Sequence, residues 1–164
     1  MNTKAALFLL AVTLLPLMAL STVHAAEFQQ SAQGVQMIPD QAVTQASSKT
    51  FTGTVHHQSL FKTTADTTYT GSYVTFAPGA RTYWHTHPGG QRMIVVKGTC
   101  WTQVEGGPKT IAHTGDTIWC PAGVKHWHGA SPDGEMTHLV LTEMRNGKNV
   151  TWMEPVTDEQ YFSN

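Results

Sequence analysis

From Phe51 onward the chain is a series of short runs of Thr, Val, Tyr, Phe and Ile, broken by Gly, Pro or Asp every eight to twelve residues. That is strand periodicity with turn punctuation. It predicts strands over 51–56, 70–76, 82–87, 91–96, 99–105, 109–113, 117–120, 125–129 and 136–143. No helical period falls between them, so the strands must pair antiparallel and close on one another, and the predicted fold class is all-β, one small jelly-roll barrel. Thr157-Asp158-Glu159-Gln160, just after Pro155, offers a capping box for a short C-terminal helix.

The two ends of the chain read differently. Lys4 followed by the apolar run Ala5–Leu20 and by Val23-His24-Ala25 is the pattern of a secretory signal peptide over residues 1–25. The run is interrupted by Thr13 and Pro16 and is too short to span a bilayer, so a cleaved leader is expected rather than an anchor. Residues 26–49, rich in Gln, Ser and Ala, read as a polar tether or a loosely attached first strand, leaving 50–164 as the folded domain. The expected location is outside the cytoplasm, periplasmic or secreted.

Without residues 1–25 the chain carries 9 basic and 11 acidic residues, a net charge of −2. Nucleic acid and anionic membranes both need basic patches, so neither is an expected partner. A small-molecule substrate is, and a homo-oligomer, dimer or tetramer, is the expected assembly. Cys100 and Cys120 allow two readings. One is a disulfide closing a loop of about 20 residues, worth roughly 3 kcal/mol; the other is two buried thiols on neighbouring strands.

Chemistry concentrates in two stretches. Gly79–Gly98 contains His85, His87 and Gln91, and Gly115–Ala130 contains His126 behind Gly115, Pro121 and Gly123. Residues i and i+2 of a strand share a face, so His85 and His87 can grip one ion, and the Pro88-Gly89-Gly90 turn can return Gln91 beside them. Three imidazoles and one amide oxygen converging inside a barrel make a site for a first-row divalent metal. If those residues point inward, so does His128, two residues from His126. On the last strand His138, Val140 and Thr142 share one face; on an early strand Ser72, Val74 and Phe76 share another. His56, His57 and His113 fall near turns and read as surface residues. Trp84, Trp101, Trp119 and Trp127 read as packing, Met93 and Met144 as gap fillers, and Arg81 as a pin for the loop entering the first metal strand.

The spacing G-x5-H-x-H-x3-Q-x6-G followed by G-x5-P-x-G-x2-H resembles the two motifs of the cupin superfamily. Gln91 stands where the usual Glu would be, and Ala130 where the usual closing Asn would be. Beyond the motifs, Phe51–Val55, Val74–Pro88, Lys125–Ala130, Met136–Leu139 and Trp152–Tyr161 are similar to the small bacterial manganese-dependent cupin hydroxynitrile lyases. That resemblance implies His85, His87, Gln91 and His126 as ligands of one divalent transition metal per chain. Manganese is favoured, with iron, zinc, nickel or copper as alternatives. It also implies His128 and His138 as acid–base residues, Ser72, Val74 and Thr142 as pocket residues, and reversible cleavage of an aromatic, mandelonitrile-like cyanohydrin to aldehyde and cyanide.

The chemistry agrees with that implication. Gln91 in place of a carboxylate leaves all ligands neutral, so a divalent ion keeps its charge and its polarising strength. His128 would take the hydroxyl proton, and His138 would donate a hydrogen bond to the departing cyanide. Two other classes stay open. One is a metal-dependent dioxygenase acting on a small phenolic or dicarbonyl substrate; the other is a non-catalytic, small-ligand-binding cupin.

Overall fold

The computed structural model describes residues 34–163, so the leader expected over 1–25 lies outside the described residues. The strands are β1 (Thr44–Gln45), β2 (Phe51–Thr52), β3 (Val55–Phe61), β4 (Tyr69–Phe76), β5 (Arg81–Thr82), β6 (His85–Thr86), β7 (Gln91–Lys97), β8 (Thr99–Val104), β9 (Lys109–His113), β10 (Thr117–Cys120), β11 (His126–Ala130), β12 (Met136–Glu143) and β13 (Thr151–Trp152), followed by helix α1 (Asp158–Phe162). One sheet runs β1-β3-β4-β12-β7-β10; the other runs β13-β6-β11-β5-β2, with β8 on β11 and β9 on β8. Every strand pair is antiparallel. The protein is an all-β jelly-roll barrel.

Alternation places the core. Along β12, Met136, His138, Val140 and Thr142 are buried while the residues between them are half-buried. Along β7, Gln91, Met93 and Val95 take the inner face. Val55, Val74, Phe76, Met93, Val95 and Met136 of the first sheet pack with Cys100, Ala112 and Ala130 of the second. Each of the Val, Phe and Met side chains contributes about 2 kcal/mol by leaving water.

The outer face of the second sheet is also covered. Trp84, Trp127, Val156 and Tyr161 form a separate cluster, and β11 is therefore buried on both faces. Helix α1 carries the predicted capping box: Thr157 accepts from the Gln160 amide, and the Gln160 side chain accepts from the Thr157 amide. Arg81, buried in this layer, donates to the Val156 carbonyl and to Asp158. It also donates to the Gly79 carbonyl at 3.4 Å, so it ties the loop entering the first metal strand to the C-terminal segment.

Two predicted strands are each divided in the fold. The run 51–56 breaks at Gly53, whose φ is 82° and where a Cβ would lie 2.9 Å from that of Ala80. On either side of this break, β2 joins one sheet and β3 the other. The run 82–87 divides into β5 and β6 because Arg81 pairs with Gly129 but His85 with His126. One strand therefore carries an extra residue, as in a bulge.

β3 continues to Phe61, past the predicted end at 56. His57 thus sits on a strand in register with Val74 and faces the interior, which corrects its reading as a surface residue; His56 and His113 are exposed. Cys100 and Cys120 are free buried thiols in the same core cluster. Burial pushes them up to about 12 and about 11 respectively.

Candidate metal centre and cavity

The turn after β6 does the first positioning. The Gly90 amide donates to the His87 carbonyl at 3.3 Å, with Gly90 at φ 77° and no room for a Cβ against Trp119. The chain reverses there, and Gln91 opens β7 pointing inward. The Gly123 amide donates to the same His87 carbonyl at 2.9 Å, tying the turn before β11 to it. His126 then enters directly opposite His85.

Three imidazoles are held alike. The Nδ1–H of His85 donates to the Tyr83 carbonyl at 2.9 Å, and that of His126 to the Val124 carbonyl at 2.9 Å. The Nδ1–H of His87 donates to the Asn149 carbonyl. A backbone acceptor on Nδ1 fixes the tautomer and leaves the Nε2 lone pair free for an ion. The Gln91 Oε1 lies 3.2 Å from His126 Nε2. His85 and His126 have ring centroids 4.3 Å apart, and His87 lies 5.0 and 5.6 Å from them. His87 Nε2 is buried with no hydrogen-bond partner. A buried lone pair left idle is costly, and an ion would satisfy it.

Among the described residues, His85, His126 and His128 also bring three ligand atoms within 4.8 Å of one another. This tight trio and the carbonyl-anchored trio share His85 and His126 and differ in one member. Desolvation lowers the pKa of all four histidines, His87 to about 4, so each is neutral near pH 7 and fit to donate a lone pair. This buried three-histidine site fits a divalent metal.

His128 has a further partner. Its Nδ1 lies 3.1 Å from His138 Nε2, and the outer nitrogens of both rings are buried without partners. Phe76 packs against both imidazoles. Burial brings His138 down to about 4, and with it His128 well below its ordinary value.

These groups line a cavity of about 140 Å³, of the order of an apolar cavity that takes up benzene. Ser72, Val74, Thr142, His128 and His138 all line it, with His85, His87 and Gln91. The sequence reading missed four lining residues that matter. Thr82 accepts from the His128 amide at 3.1 Å; it faces inward because of the extra residue between β5 and β6. Trp152 packs at a tilt with its ring 4.8 Å from that of His85, and Asn149 holds His87; both lie where no period signals a strand. His57 could have been found by carrying the alternation Val55, His57, Ser59 one step further.

Residues 72–142 match the model of the cupin domain family. The chain is 49% identical over 127 residues to a protein named (R)-mandelonitrile lyase from Granulicella tundricola, covering 77% of this chain and 97% of that one. In structure it is similar to a cupin-like protein from Thermotoga maritima, with a TM-score of 0.68 and 36% identity over 77% of this chain and 95% of that one. A cupin 2 conserved barrel domain protein from Rhodopseudomonas palustris superposes with a TM-score of 0.59 at 16% identity, over 68% and 77% of the two chains, a likeness of fold alone.

Proposed function

The chain belongs to the cupin family, and on that premise we propose that it is a metal-dependent carbon–carbon lyase. It cleaves an aromatic cyanohydrin of the mandelonitrile type, reversibly, to an aldehyde and hydrogen cyanide. The observation that carries this reading is the His128–His138 pair beside three carbonyl-anchored imidazoles at one end of a ring-sized cavity. The reaction type is that named for the Granulicella relative.

His85, His87, Gln91 and His126 would hold the ion, manganese in our assignment. His128 has an equally free Nε2, but behind its Nδ1 stands another imidazole, able to support a protonated ring, where a carbonyl backs each of the three ligand imidazoles. We therefore assign it to proton transfer. When bound, a divalent ion supplies Lewis acidity that lowers the pKa of a hydroxyl group.

The chain's own part is proton transfer and exclusion of water. With His128 Nδ1–H donating to His138 Nε2, the His128 Nε2 keeps a lone pair and accepts the proton of the cyanohydrin hydroxyl. The oxygen's electron pair becomes the carbonyl bond, and the carbon–carbon pair leaves with cyanide. Nε2–H of His128 then returns its proton to cyanide, giving hydrogen cyanide and restoring the base. His138 steadies the transient imidazolium from behind by accepting its Nδ1–H. This role fits the 3.1 Å contact better than direct donation to cyanide. Such a base is worth about 10²–10⁴ in rate.

The test is manganese-loaded protein with racemic mandelonitrile, followed by benzaldehyde and cyanide release alongside an oxygen electrode. Equal release of both products without oxygen uptake is expected. Oxygen uptake with a phenol or diketone and no cyanide release would replace the lyase by the oxygenase.

Export and self-association belong to the same proposal. The support is the leader-like composition of residues 1–25 and the exposed Met37, Ile38 and Val43 ahead of β1. The N-terminal sequence of protein from the native host and its sedimentation test each in turn.

A further inference from the structure

The mechanism uses one end of the cavity and leaves a polar pair on another wall unexplained. His57 Nε2 and Ser72 Oγ lie 2.9 Å apart, both lining the cavity. In the sheet order β7-β12-β4-β3, His57 stands two strands from His138 and three from Gln91. His57 and His138 lie in one row through Val74. At about 4.8 Å per strand they are roughly 10 Å apart across the sheet, a separation that an aromatic ring substituted at both ends bridges. Gln91, in register with Thr142, is displaced along the strands as well. The remaining polar groups near Gln91 are already engaged with one another. Thr70 and Thr142 hydroxyls are 2.9 Å apart, and Asn149 donates to Thr142 at 3.3 Å.

Apolar side chains flank the His57–Ser72 pair on this wall, Val74 in register with His57 and Val140 with Ser72, and Phe51 and Trp152 line the same cavity. Placing an imidazole and a hydroxyl in such a wall costs desolvation that one mutual hydrogen bond only partly returns. Both groups can still donate or accept once more. Half-burial lowers the pKa of His57, so the pair is neutral near pH 7 and suits an uncharged partner rather than a carboxylate.

We propose that His57 and Ser72 form a recognition site for a hydroxyl group on the substrate ring, remote from the reacting carbon. The substrate class is then a ring-hydroxylated aromatic cyanohydrin, which narrows and rests on the lyase reading above. A site built to bond a hydroxyl discriminates against an isostere lacking it, because its own polar groups are left unpaired.

The experiment compares 3- and 4-hydroxymandelonitrile with their methyl counterparts, which match them in size. In the metal-loaded wild type, kcat/KM should favour at least one hydroxylated substrate by tenfold or more, a difference of about 1.4 kcal/mol. His57→Leu and Ser72→Ala should each bring that ratio to within about twofold of one. A role in structure alone would lower both substrates together and leave the ratio unchanged, and that result would overturn the proposal. If His57→Leu loses its fold, Ser72→Ala carries the same comparison. A second arm measures binding of hydroxybenzaldehydes against methylbenzaldehydes by calorimetry, without turnover. Hydroxyl-selective binding lost in the variants, with no cyanohydrin cleavage by the wild type, would sink the lyase reading and keep the His57 site. Cleavage with no hydroxyl preference in either arm would keep the lyase and sink the site.

Discussion

Nε2 of His138 faces Nδ1 of His128 at 3.1 Å, with both rings buried and the outer nitrogen of each left without a partner. A neutral imidazole so placed can take a proton on its cavity side and pass the resulting charge toward the ring behind it. His128→Ala should therefore lower kcat/KM for mandelonitrile at least about a hundredfold, roughly 2.7 kcal/mol of transition-state stabilisation. His138→Ala should cost less, since it removes only the support. Unchanged turnover in His128→Ala would exclude it as the base.

Metal content separates the two histidine trios. His87→Ala and His126→Ala should each lose most of the bound ion while the barrel keeps its circular dichroism. His128→Ala should retain stoichiometric metal by elemental analysis. The opposite pattern for His87 and His128 would assign the ion to His85, His126 and His128 instead.

Which metal is bound depends on where the chain folds. A site of three nitrogens and one oxygen prefers copper or zinc to manganese by intrinsic affinity, and a protein folded after export cannot have its metal chosen in the cytoplasm. Protein purified from its native compartment should carry mixed or non-manganese metal, with the manganese-reconstituted form the more active lyase. Homogeneous manganese in natively exported protein would contradict this.

Removing the metal should make the fold acid-labile. His85, His87, His126, His128 and His138 all have pKa values lowered by burial, His87 and His138 to about 4. Their unfolded values stay near 6.5, so below that pH the unfolded chain binds more protons than the folded one. Stability is then full above about pH 6.5 and is lost as pH falls toward 4. Urea midpoints of chelator-treated protein at pH 7.5, 6 and 5 should fall in that order; a flat profile would refute it.

The C-terminal clasp can be tested with one atom. Tyr161 is fully buried and its hydroxyl donates to the Ala130 carbonyl at 2.6 Å. Tyr161→Phe leaves that carbonyl unsatisfied and should cost about 1–2 kcal/mol, seen as a drop of a few degrees in Tm with metal content unchanged.

The patterned part of the chain was legible without its fold. Thr and Val runs with Gly and Pro at their ends predict most strands of both sheets, and Thr157 and Gln160 predict the helix cap, because strand periodicity and capping are properties of neighbours in sequence. His85, His87 and Gln91 were legible as a group for the same reason: one strand and one tight turn join them. His126 and His128, by contrast, were tied to that group by motif and alternation.

What alternation could not supply was phase across an irregularity. Thr82 turns inward because one extra residue separates two pairings with β11, and β2 leaves β3 for the other sheet at Gly53; each depends on a partner strand far away in sequence. His57 meets Ser72 only because β3 runs on past its predicted end. The roles of individual histidines are decided the same way. Only the tertiary structure puts carbonyls of residues 83, 124 and 149 behind three imidazoles and a second imidazole behind the fourth. What lies behind a ring determines which nitrogen is free to hold an ion and which is free to move a proton.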